Sequence, residues 1–287
     1  MWVDEEFKAE DRSLYRDPEE KPKYAEDYQV VEWKRPGEMH DDPMMIKDGI
    51  HSGDVKQGAI GNCWLMGSFL LLGTKPQLLR NLIVEADGIN EGFAVFQFFK
   101  NGKWQYVIID TLLPFDPQQK QPLYGHCTDQ QEFWVSLMEK AYAKLHGCYE
   151  ALHGGHLPEG MVDLTGGVSV RYDLTQPEMK AAMDSGQLWK DMKKFNQQGY
   201  LIGYSQRMKK EDGEEDEEGH DTQGIIYNHA YGMLRIEDIP PPDSLQMIYT
   251  RNPWGSGLGE WNGKFADEDE AWDDHKGLKL RLNYEFS

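Results

Sequence analysis

The chain has 287 residues, enough to bury a sizeable core in one large domain or two smaller ones. Its 50 acidic and 30 basic residues give a net charge of -20, which argues against nucleic acid or an anionic membrane as the main partner. The same carboxylate excess is compatible with calcium binding, because calcium prefers oxygen ligands.

The cysteine content points to a reducing compartment. Cys63, Cys127 and Cys148 form neither a disulfide framework nor a zinc-binding spacing, so we expect a cytoplasmic location. The N-terminal residues do not resemble a signal peptide, and no apolar run approaches the roughly 18 residues of a membrane span. The sequence therefore predicts a protein that does not cross a membrane.

The first half of the chain predicts an irregular arm, a buried helix and a hairpin. Residues 1–32 are charged and dotted with proline and tyrosine, without periodicity. An apolar run predicts a buried helix over 64–72. Asn101-Gly102 lies between two strand-like runs, 93–99 and 104–109, and is a strong hairpin signal.

A second helix is predicted over 131–146, where large apolar side chains recur at helical spacing up to Gly147. Gly166-Gly167 is our candidate hinge between two halves. The second half is predicted to be β-rich, with one amphipathic helix and one acidic, mobile loop. These elements are the helix 177–196, the strand 200–204, the loop 209–219 and the strands 225–231, 233–236, 245–250 and 278–282.

A polar, glycine-containing turn ends in Cys63, at the first turn of the 64–72 helix. The positive end of a helix dipole stabilises a thiolate, the reactive form of cysteine, so we expect a nucleophile here. Gln57 lies six residues earlier and could donate its side-chain amide to a developing oxyanion.

A cysteine nucleophile requires a base that takes its proton and a group that orients the base. His229 lies in a strand-like run, which would hold its imidazole rigidly as a general base. Asn252 is expected at a strand end, where it could accept the imidazole N–H, and Trp254 could shield that bond from water. The chain order Cys, His, Asn is that of papain-like proteases.

Six motifs lie between about Trp33 and Asp267. They are Gln57-Gly58-Ala59-Ile60-Gly61-Asn62-Cys63-Trp64, Glu132-Phe133-Trp134, Glu139-Lys140-Ala141-Tyr142-Ala143-Lys144, Gly147-Cys148-Tyr149-Glu150-Ala151-Leu152, His229-Ala230-Tyr231 and Arg251-Asn252-Pro253-Trp254-Gly255. Together they resemble the calpain family of cysteine proteases. The resemblance covers the family's two-part protease core, and we find no helix-loop-helix calcium motif.

The resemblance implies an α+β, papain-like cysteine protease core with a cleft between two subdomains. The expected parts are an irregular arm, 1–32, a helical first subdomain with a β-hairpin and the cysteine, 33–166, and a β-rich second subdomain with the histidine and asparagine, 167–287. The family joins its subdomains at a Gly-Gly pair, which matches Gly166-Gly167. We expect the second subdomain to be truncated at its C-terminal end and flanking domains to be absent from this chain.

The family's site residues map onto this sequence one by one. The resemblance implies Cys63 as nucleophile, His229 as base and Asn252 as orienting residue, with Gln57 and the Cys63 backbone N–H as the oxyanion hole. The implied substrate-binding residues are Gly155, Asn228 and Trp254.

Each subdomain of the family also carries a calcium site. The implied ligands are the carbonyls of Lys47 and Gly49 with the carboxylates of Asp54 and Glu132 for the first site, and Glu260 with Asp267 for the second. Oxygen ligands of this kind suit calcium better than zinc or magnesium.

The sequence departs from the usual family pattern at three positions. Asn62 replaces an aspartate before the cysteine, Asn228 replaces a glycine before the histidine, and Ser52 replaces an arginine that links the subdomains. Asparagine accepts a positive φ better than most residues, so we expect the backbone shape at Asn228 to be kept.

The sequence thus predicts a calcium-dependent cysteine endopeptidase that cleaves protein or peptide substrates through an acyl-enzyme on Cys63. One alternative is a calpain-like module without proteolysis, which would bind cytoskeletal or regulatory proteins through the same cleft. The other, a papain-like transferase, is disfavoured by the segment from Asn252 to Gly255.

Overall fold

The computed structural model describes residues 1–27, 32–207, 223–255, 260–266, 268–275 and 277–282. The predicted loop 209–219 and the predicted ligand Asp267 lie outside these ranges. The contacts divide the chain into two compact units, Met1–Arg171 and Tyr172–Ser287. None of the helices in the described ranges has both the length and the apolar character that a membrane crossing requires.

The first unit mixes helices with short antiparallel strands. Its described helices are α1 (Asp11–Leu14), α2 (Pro36–Met39), α3 (Cys63–Gly73), α4 (Pro76–Leu82), α5 (Trp134–His146) and α6 (Leu157–Thr165). Its described strands are β1 (Glu32–Lys34), β2 (Val55–Lys56), β3 (Ile83–Glu85), β4 (Phe93–Lys100), β5 (Lys103–Asp110), β6 (Leu113–Asp116), β7 (Gln121–Pro122) and β8 (His126–Cys127). They pair in the orders β1-β6-β7, β2-β8 and β3-β4-β5.

Two predicted helices form the core of the first unit. Every residue of α3 from Trp64 to Gly73 is buried, because a helix that is apolar on all sides has to be enclosed. In α5 the residues from Trp134 to Ala143 are also buried, and Gly147 ends the helix with a φ of 102°. The predicted helices over 64–72 and 131–146 are therefore confirmed, and Cys63 begins one of them.

The predicted hairpin is formed by β4 and β5, with Phe99 opposite Trp104. Its two turn residues have left-handed φ values, 53° at Asn101 and 76° at Gly102. A type I′ turn requires such values at both positions, which is why the Asn-Gly pair predicts it.

Most of residues 1–27 lie outside helices and strands, yet this segment is packed against the rest of the first unit. Its buried side chains include Phe7, Leu14 and Tyr15. The Asp4 carboxylate accepts from Lys144 Nζ at 2.8 Å, and the Asp4 N–H donates to the Asp110 carboxylate at 2.9 Å. An irregular backbone is here compatible with buried, specific contacts.

The described part of the second unit combines helices with one three-stranded sheet. Its elements are α7 (Pro177–Asp184), α8 (Gln187–Gln197), β9 (Ile202–Ser205), β10 (Ala230–Ile239), β11 (Leu245–Arg251), α9 (Ala271–Asp274) and α10 (Leu278–Leu282). The central strand, β10, is antiparallel to both neighbours. Because helices are as prominent here as strands, the prediction of a β-rich second half is not confirmed.

Two predictions in this unit are wrong in detail. The helix predicted over 177–196 is divided into α7 and α8, because Gly186 has a left-handed φ of 71° that a continuous helix excludes. The two strands predicted over 225–231 and 233–236 are one strand, β10, which begins only after His229. His229 therefore lies next to a strand, not within one.

The strand predicted over 278–282 is also wrong, since this segment forms the helix α10. Leu278 and Leu282 are four residues apart and both lie in a buried cluster with Ile239 and Trp272. On a helix this spacing directs both side chains to one face, and the tertiary contact decides the conformation of a run this short.

Candidate active site

Cys63 is the first residue of α3, is half-buried and is not part of a disulfide. It is reached through residues 57–62, which we call the nucleophile loop. Within this loop, Gly58 lies so close to Tyr124 that a Cβ would come within 2.3 Å of the Tyr124 carbonyl oxygen. Position 58 therefore requires glycine. The prediction that Cys63 lies at the first turn of a buried helix is confirmed.

Asn62, the residue before Cys63, is buried and bonded to a buried carboxyl group. Its Nδ2 donates to Glu139 Oε1 at 2.6 Å, and the Gly125 N–H donates to Glu139 Oε2 at 2.8 Å. Burial raises the pKa of Glu139 to about 8, although both hydrogen bonds favour the ionised form. Asn62 Oδ1 has no hydrogen-bond partner within the described ranges.

Glu139 was not among the functional residues predicted from the sequence. The available signal was an acidic residue within the apolar pattern of the 131–146 helix, since acidic residues are rarely fully buried without a partner. The partner, Asn62, could not be read from that pattern because it lies on a different element.

Gln57 is half-buried in the nucleophile loop. Its Nε2 donates to the Ile60 carbonyl at 2.9 Å, and its Oε1 is buried with no hydrogen-bond partner among the residues that the structure describes. The side chain therefore closes the loop on itself, and its role towards an oxyanion stays a prediction.

Gly155, a predicted substrate-binding residue, lies against Trp64. A Cβ on Gly155 would come 2.5 Å from Trp64 Cε2, so only glycine allows this approach. The Trp64 indole N–H donates to the Leu152 carbonyl at 2.9 Å. The turn that carries Gly155 is thus fixed to the residue that follows Cys63.

Cys127 and Cys148 are both buried, and burial raises the pKa of each thiol. A thiol that stays protonated is a poor nucleophile. These two residues are weaker nucleophile candidates than the half-buried Cys63.

In the second unit, the strand pair β10–β11 brings His229 and Asn252 together. His229 directly precedes β10 and Asn252 directly follows β11. His229 Nε2 lies 2.7 Å from Asn252 Oδ1, and both side chains are buried. Because an amide oxygen can only accept, Nε2 carries the proton, and Nδ1 is the acceptor of the neutral ring.

The surroundings of this pair fix its geometry. The Trp254 N–H donates to Asn252 Oδ1 at 2.9 Å, which orients the amide. The Trp254 ring packs against His229 with centroids 4.4 Å apart, and Tyr231 meets the imidazole edge-on at 5.1 Å. Burial lowers the pKa of His229 to about 4, against the opposite effect of the Asn252 bond, so the ring is neutral at pH 7.

Asn228 has the left-handed backbone expected from its residue type, with a φ of 57°. Its N–H donates to the Gln206 carbonyl at 2.7 Å. The turn before His229 therefore keeps a shape that most side chains disfavour, as predicted.

Two residues of the first predicted calcium site, Lys47 and Glu132, are hydrogen-bonded in the first unit, and the charge of a third, Asp54, acts on Glu132. The Lys47 N–H donates to Glu132 Oε1 at 2.9 Å, and the Asp54 carboxylate accepts from the His51 N–H at 2.7 Å. Burial raises the pKa of Glu132 to about 7, against the effect of the Lys47 bond, and the negative charge of Asp54 adds to the rise. The two carboxylates therefore influence each other across 78 residues of sequence.

The predicted ligands of the second calcium site are not brought together by the described residues. Glu260 is exposed, and Asp267 lies outside the described ranges. Within those ranges, no three His, Cys, Asp or Glu side chains gather into a cluster that could hold a metal ion. The first set offers only two carboxylates, so backbone carbonyls such as those of Lys47 and Gly49 would have to supply further ligands.

Comparison with known proteins gives a consistent picture. A model of the calpain family cysteine proteases matches residues 2–286. The chain is 34% identical over 286 residues to the calpain-type cysteine protease DEK1 of Zea mays, 36% over 253 residues to the calpain-2 catalytic subunit of Mus musculus, and 34% over 293 residues to the calpain-1 catalytic subunit of Gallus gallus.

These alignments cover 97%, 87% and 95% of this chain, in the same order, but only 13%, 34% and 40% of the relatives. The chain therefore spans less than half the length of each of these relatives. The family model matches nearly the whole chain, and the relatives share 34% and 36% identity with most of it. The chain therefore belongs to the calpain family of cysteine proteases.

Proposed function

We propose that this chain is the protease core of a cysteine endopeptidase, with Cys63 as nucleophile, His229 as general base and Asn252 as the residue that orients the base. The observation that carries the proposal is the 2.7 Å bond between His229 Nε2 and Asn252 Oδ1. An imidazole held in this tautomer presents Nδ1 as a proton acceptor, which a cysteine nucleophile needs.

In the proposed reaction, His229 Nδ1 takes the thiol proton and Cys63 Sγ adds to the carbonyl carbon of the peptide bond. The oxyanion accepts hydrogen bonds from the Cys63 N–H and from Gln57, whose amide exchanges its bond to the Ile60 carbonyl for this one. His229 then gives the proton to the leaving amine, which leaves an acyl-enzyme on Cys63. A water molecule activated by His229 hydrolyses the thioester and restores the thiol.

We also propose the papain-like arrangement that the resemblance implies, with subdomains 33–166 and 167–287, a cleft between them and a hinge at Gly166-Gly167. Gly166 has a left-handed φ of 66° at the end of α6, a conformation that favours glycine. The proposed substrate contacts are Gly155, Asn228 and Trp254. The proposed substrates are proteins or peptides, and the proposed location is the cytoplasm.

The replacement Cys63→Ser tests the nucleophile. We expect it to abolish cleavage of a fluorogenic peptide while the circular dichroism spectrum is unchanged. The matched control is Cys127→Ala with Cys148→Ala, which should retain cleavage and be labelled by a thiol-directed peptide electrophile at Cys63 alone. Turnover by Cys63→Ser equal to that of the parent would disprove the assignment, as would loss of activity in the well-folded double variant.

We propose in addition that calcium binds at Asp54 and Glu132, together with the carbonyls of Lys47 and Gly49. These residues fit the ion, because they are oxygen donors and because neighbouring carboxylates, here Glu132 with the charge of Asp54 acting on it, repel each other unless a cation lies between them. Bound calcium would supply the compensating charge and align the two halves for catalysis.

A calcium titration of melting temperature and of peptide cleavage tests this site. Calcium should raise the melting temperature of the parent, because a ligand that binds only the native state stabilises it. Asp54→Ala with Glu132→Ala should remove this shift, whereas Asp41→Ala, which alters an exposed acid nearby, should retain it. A shift that survives in the double variant would refute the site. Equal cleavage in excess chelator would refute calcium dependence and leave the protease assignment intact.

A further inference from the structure

The nucleophile loop is bonded through Gly61 to the turn at His153 and Gly154. The Gly61 N–H donates to His153 Nδ1 at 3.2 Å, and the Gly154 N–H donates to the Gly61 carbonyl at 2.9 Å. A Cβ on Gly61 would lie 3.0 Å from His153 Cε1, so the imidazole rests directly on the loop. Both backbone polar groups of the residue two positions before Cys63 are therefore held by this turn.

The His153 ring is also stacked on Tyr24, with centroids 4.9 Å apart and planes inclined by 14°. Tyr24 belongs to a 3-10 helix, Lys23–Asp27, in the N-terminal segment. Its Oη is buried and has no hydrogen-bond partner within the described part of the chain. The contribution of Tyr24 to this contact therefore comes from its ring and not from its hydroxyl group.

A second contact holds the N-terminal segment against the same region. The Arg16 N–H donates to Glu150 Oε2 at 2.8 Å, one turn before His153. Leu14 and Tyr15, next to Arg16, are buried. Residues 11–27 are thus fixed at two points to the segment that carries His153.

We propose that Tyr24 and His153 are positioning residues for Cys63. The Tyr24 ring holds the His153 imidazole, and the imidazole holds Gly61, so that the nucleophile loop presents Cys63 in one orientation. Histidine suits this place because a neutral ring that is protonated at Nε2 offers Nδ1 as an acceptor while its face stacks on tyrosine. The inference rests on the proposed function, and it extends the machinery of the site to the N-terminal segment.

Four single variants of the whole 287-residue chain separate the ring from the acceptor. Tyr24→Phe retains the ring and loses only the hydroxyl group, whereas Tyr24→Ala removes the ring. His153→Asn retains a side-chain acceptor near the position of Nδ1, whereas His153→Phe retains a ring and removes the acceptor. Thermal melts of all four variants identify any that are unfolded.

Three measurements follow the loop and its consequence. They are the hydrogen exchange of the peptide that contains Gly61, the rate of alkylation of Cys63 by iodoacetamide, and kcat with KM for a peptide substrate. Tyr24→Phe and His153→Asn should stay close to the parent. In Tyr24→Ala and His153→Phe, the peptide that contains Gly61 should exchange its hydrogens faster, and Cys63 should be alkylated about fivefold more slowly. This is the size of effect expected from one lost hydrogen bond. The loss of activity should be in kcat and not in KM.

Unchanged exchange in His153→Phe would show that His153 does not hold Gly61 and would overturn the proposal. Faster exchange with unchanged alkylation and kcat would overturn the positioning role. Failure of the proposed function looks different, because Cys63 of the parent would then react no faster than Cys127 and Cys148. In that case the exchange of Gly61 still decides whether the two rings hold the loop.

Discussion

The two parts of the proposed site are held in place by different kinds of contact. On the nucleophile side, Asn62 is bonded to Glu139, 77 residues away, and Gly61 to His153, 92 residues away. On the base side, His229 and Asn252 are 23 residues apart on one strand pair. The nucleophile side depends on the packing of a whole unit, and the base side depends on one local pairing.

This difference has a consequence for substitutions. Damage on the base side should reduce catalysis more than the stability of the fold, because the His229–Asn252 pair joins the ends of two neighbouring strands of one sheet. Damage on the nucleophile side should reduce both, because the same bonds join the loop to the core of the first unit. Three predictions test the comparison.

The largest effect is expected for His229→Ala. Loss of the general base should reduce kcat/KM for a peptide by about 10²- to 10⁴-fold. The urea midpoint should fall only modestly, because the truncation removes the bond to Asn252 and the ring contacts with Trp254 and Tyr231 but leaves the β10–β11 backbone pairing in place. His146→Ala, which replaces a histidine outside the proposed site, is the control. Activity within tenfold of the parent would remove His229 from the mechanism, and a collapse of stability would break the comparison.

A smaller effect is expected for Glu139→Gln on the nucleophile side, and it should depend on pH. The pKa of Glu139 is raised from 4.5 to about 8, so the folded protein keeps a proton that the unfolded chain loses. The contribution of Glu139 to the stability of the parent therefore falls as the pH rises from 4.5 to about 8. Glutamine does not titrate, so the variant lacks this pH dependence. Glutamine replaces one acceptor oxygen by an N–H group, so the variant should be less stable than the parent at pH 6, and this deficit should shrink by about 2 kcal/mol between pH 6 and pH 8.

Urea unfolding at several pH values measures this change. Glu159→Gln, at an exposed glutamate, is the matched control and should follow the parent. If the difference in the free energy of unfolding between Glu139→Gln and the parent stays constant from pH 6 to pH 8, Glu139 is ionised in the folded protein throughout that range.

The smallest effect is expected at Asn228, on the base side. Its φ of 57° is unfavourable for residues with a Cβ, so Asn228→Ala should destabilise the fold by about 1 kcal/mol. Asn228→Gly should be neutral or slightly stabilising. Both variants should keep the His229–Asn252 bond, which can be followed by the imidazole proton resonance. Equal stability of the alanine and glycine variants would mean that this turn is not strained by a side chain.

Several elements could be predicted from the sequence because their causes are local. The enclosed helix α3 follows from an uninterrupted apolar run, and the β4–β5 turn from the φ values that Asn101 and Gly102 accept. The break at Gly186 and the helix over Leu278–Leu282 were missed for a different reason. A short apolar run or a single glycine is compatible with two conformations, and the contacts of the folded unit select between them.

The sequence by itself determined the family, the order Cys63, His229, Asn252, and the left-handed turn at Asn228, because these depend on residue identity and on neighbours along the chain. Only the tertiary structure decided that Glu139 is bonded to Asn62 and His153 to Gly61, and which nitrogen of His229 carries the proton. The physical reason is that a buried polar group takes its partner from whichever element packs against it. That partner is set by the fold and has no signature in the local pattern of either residue.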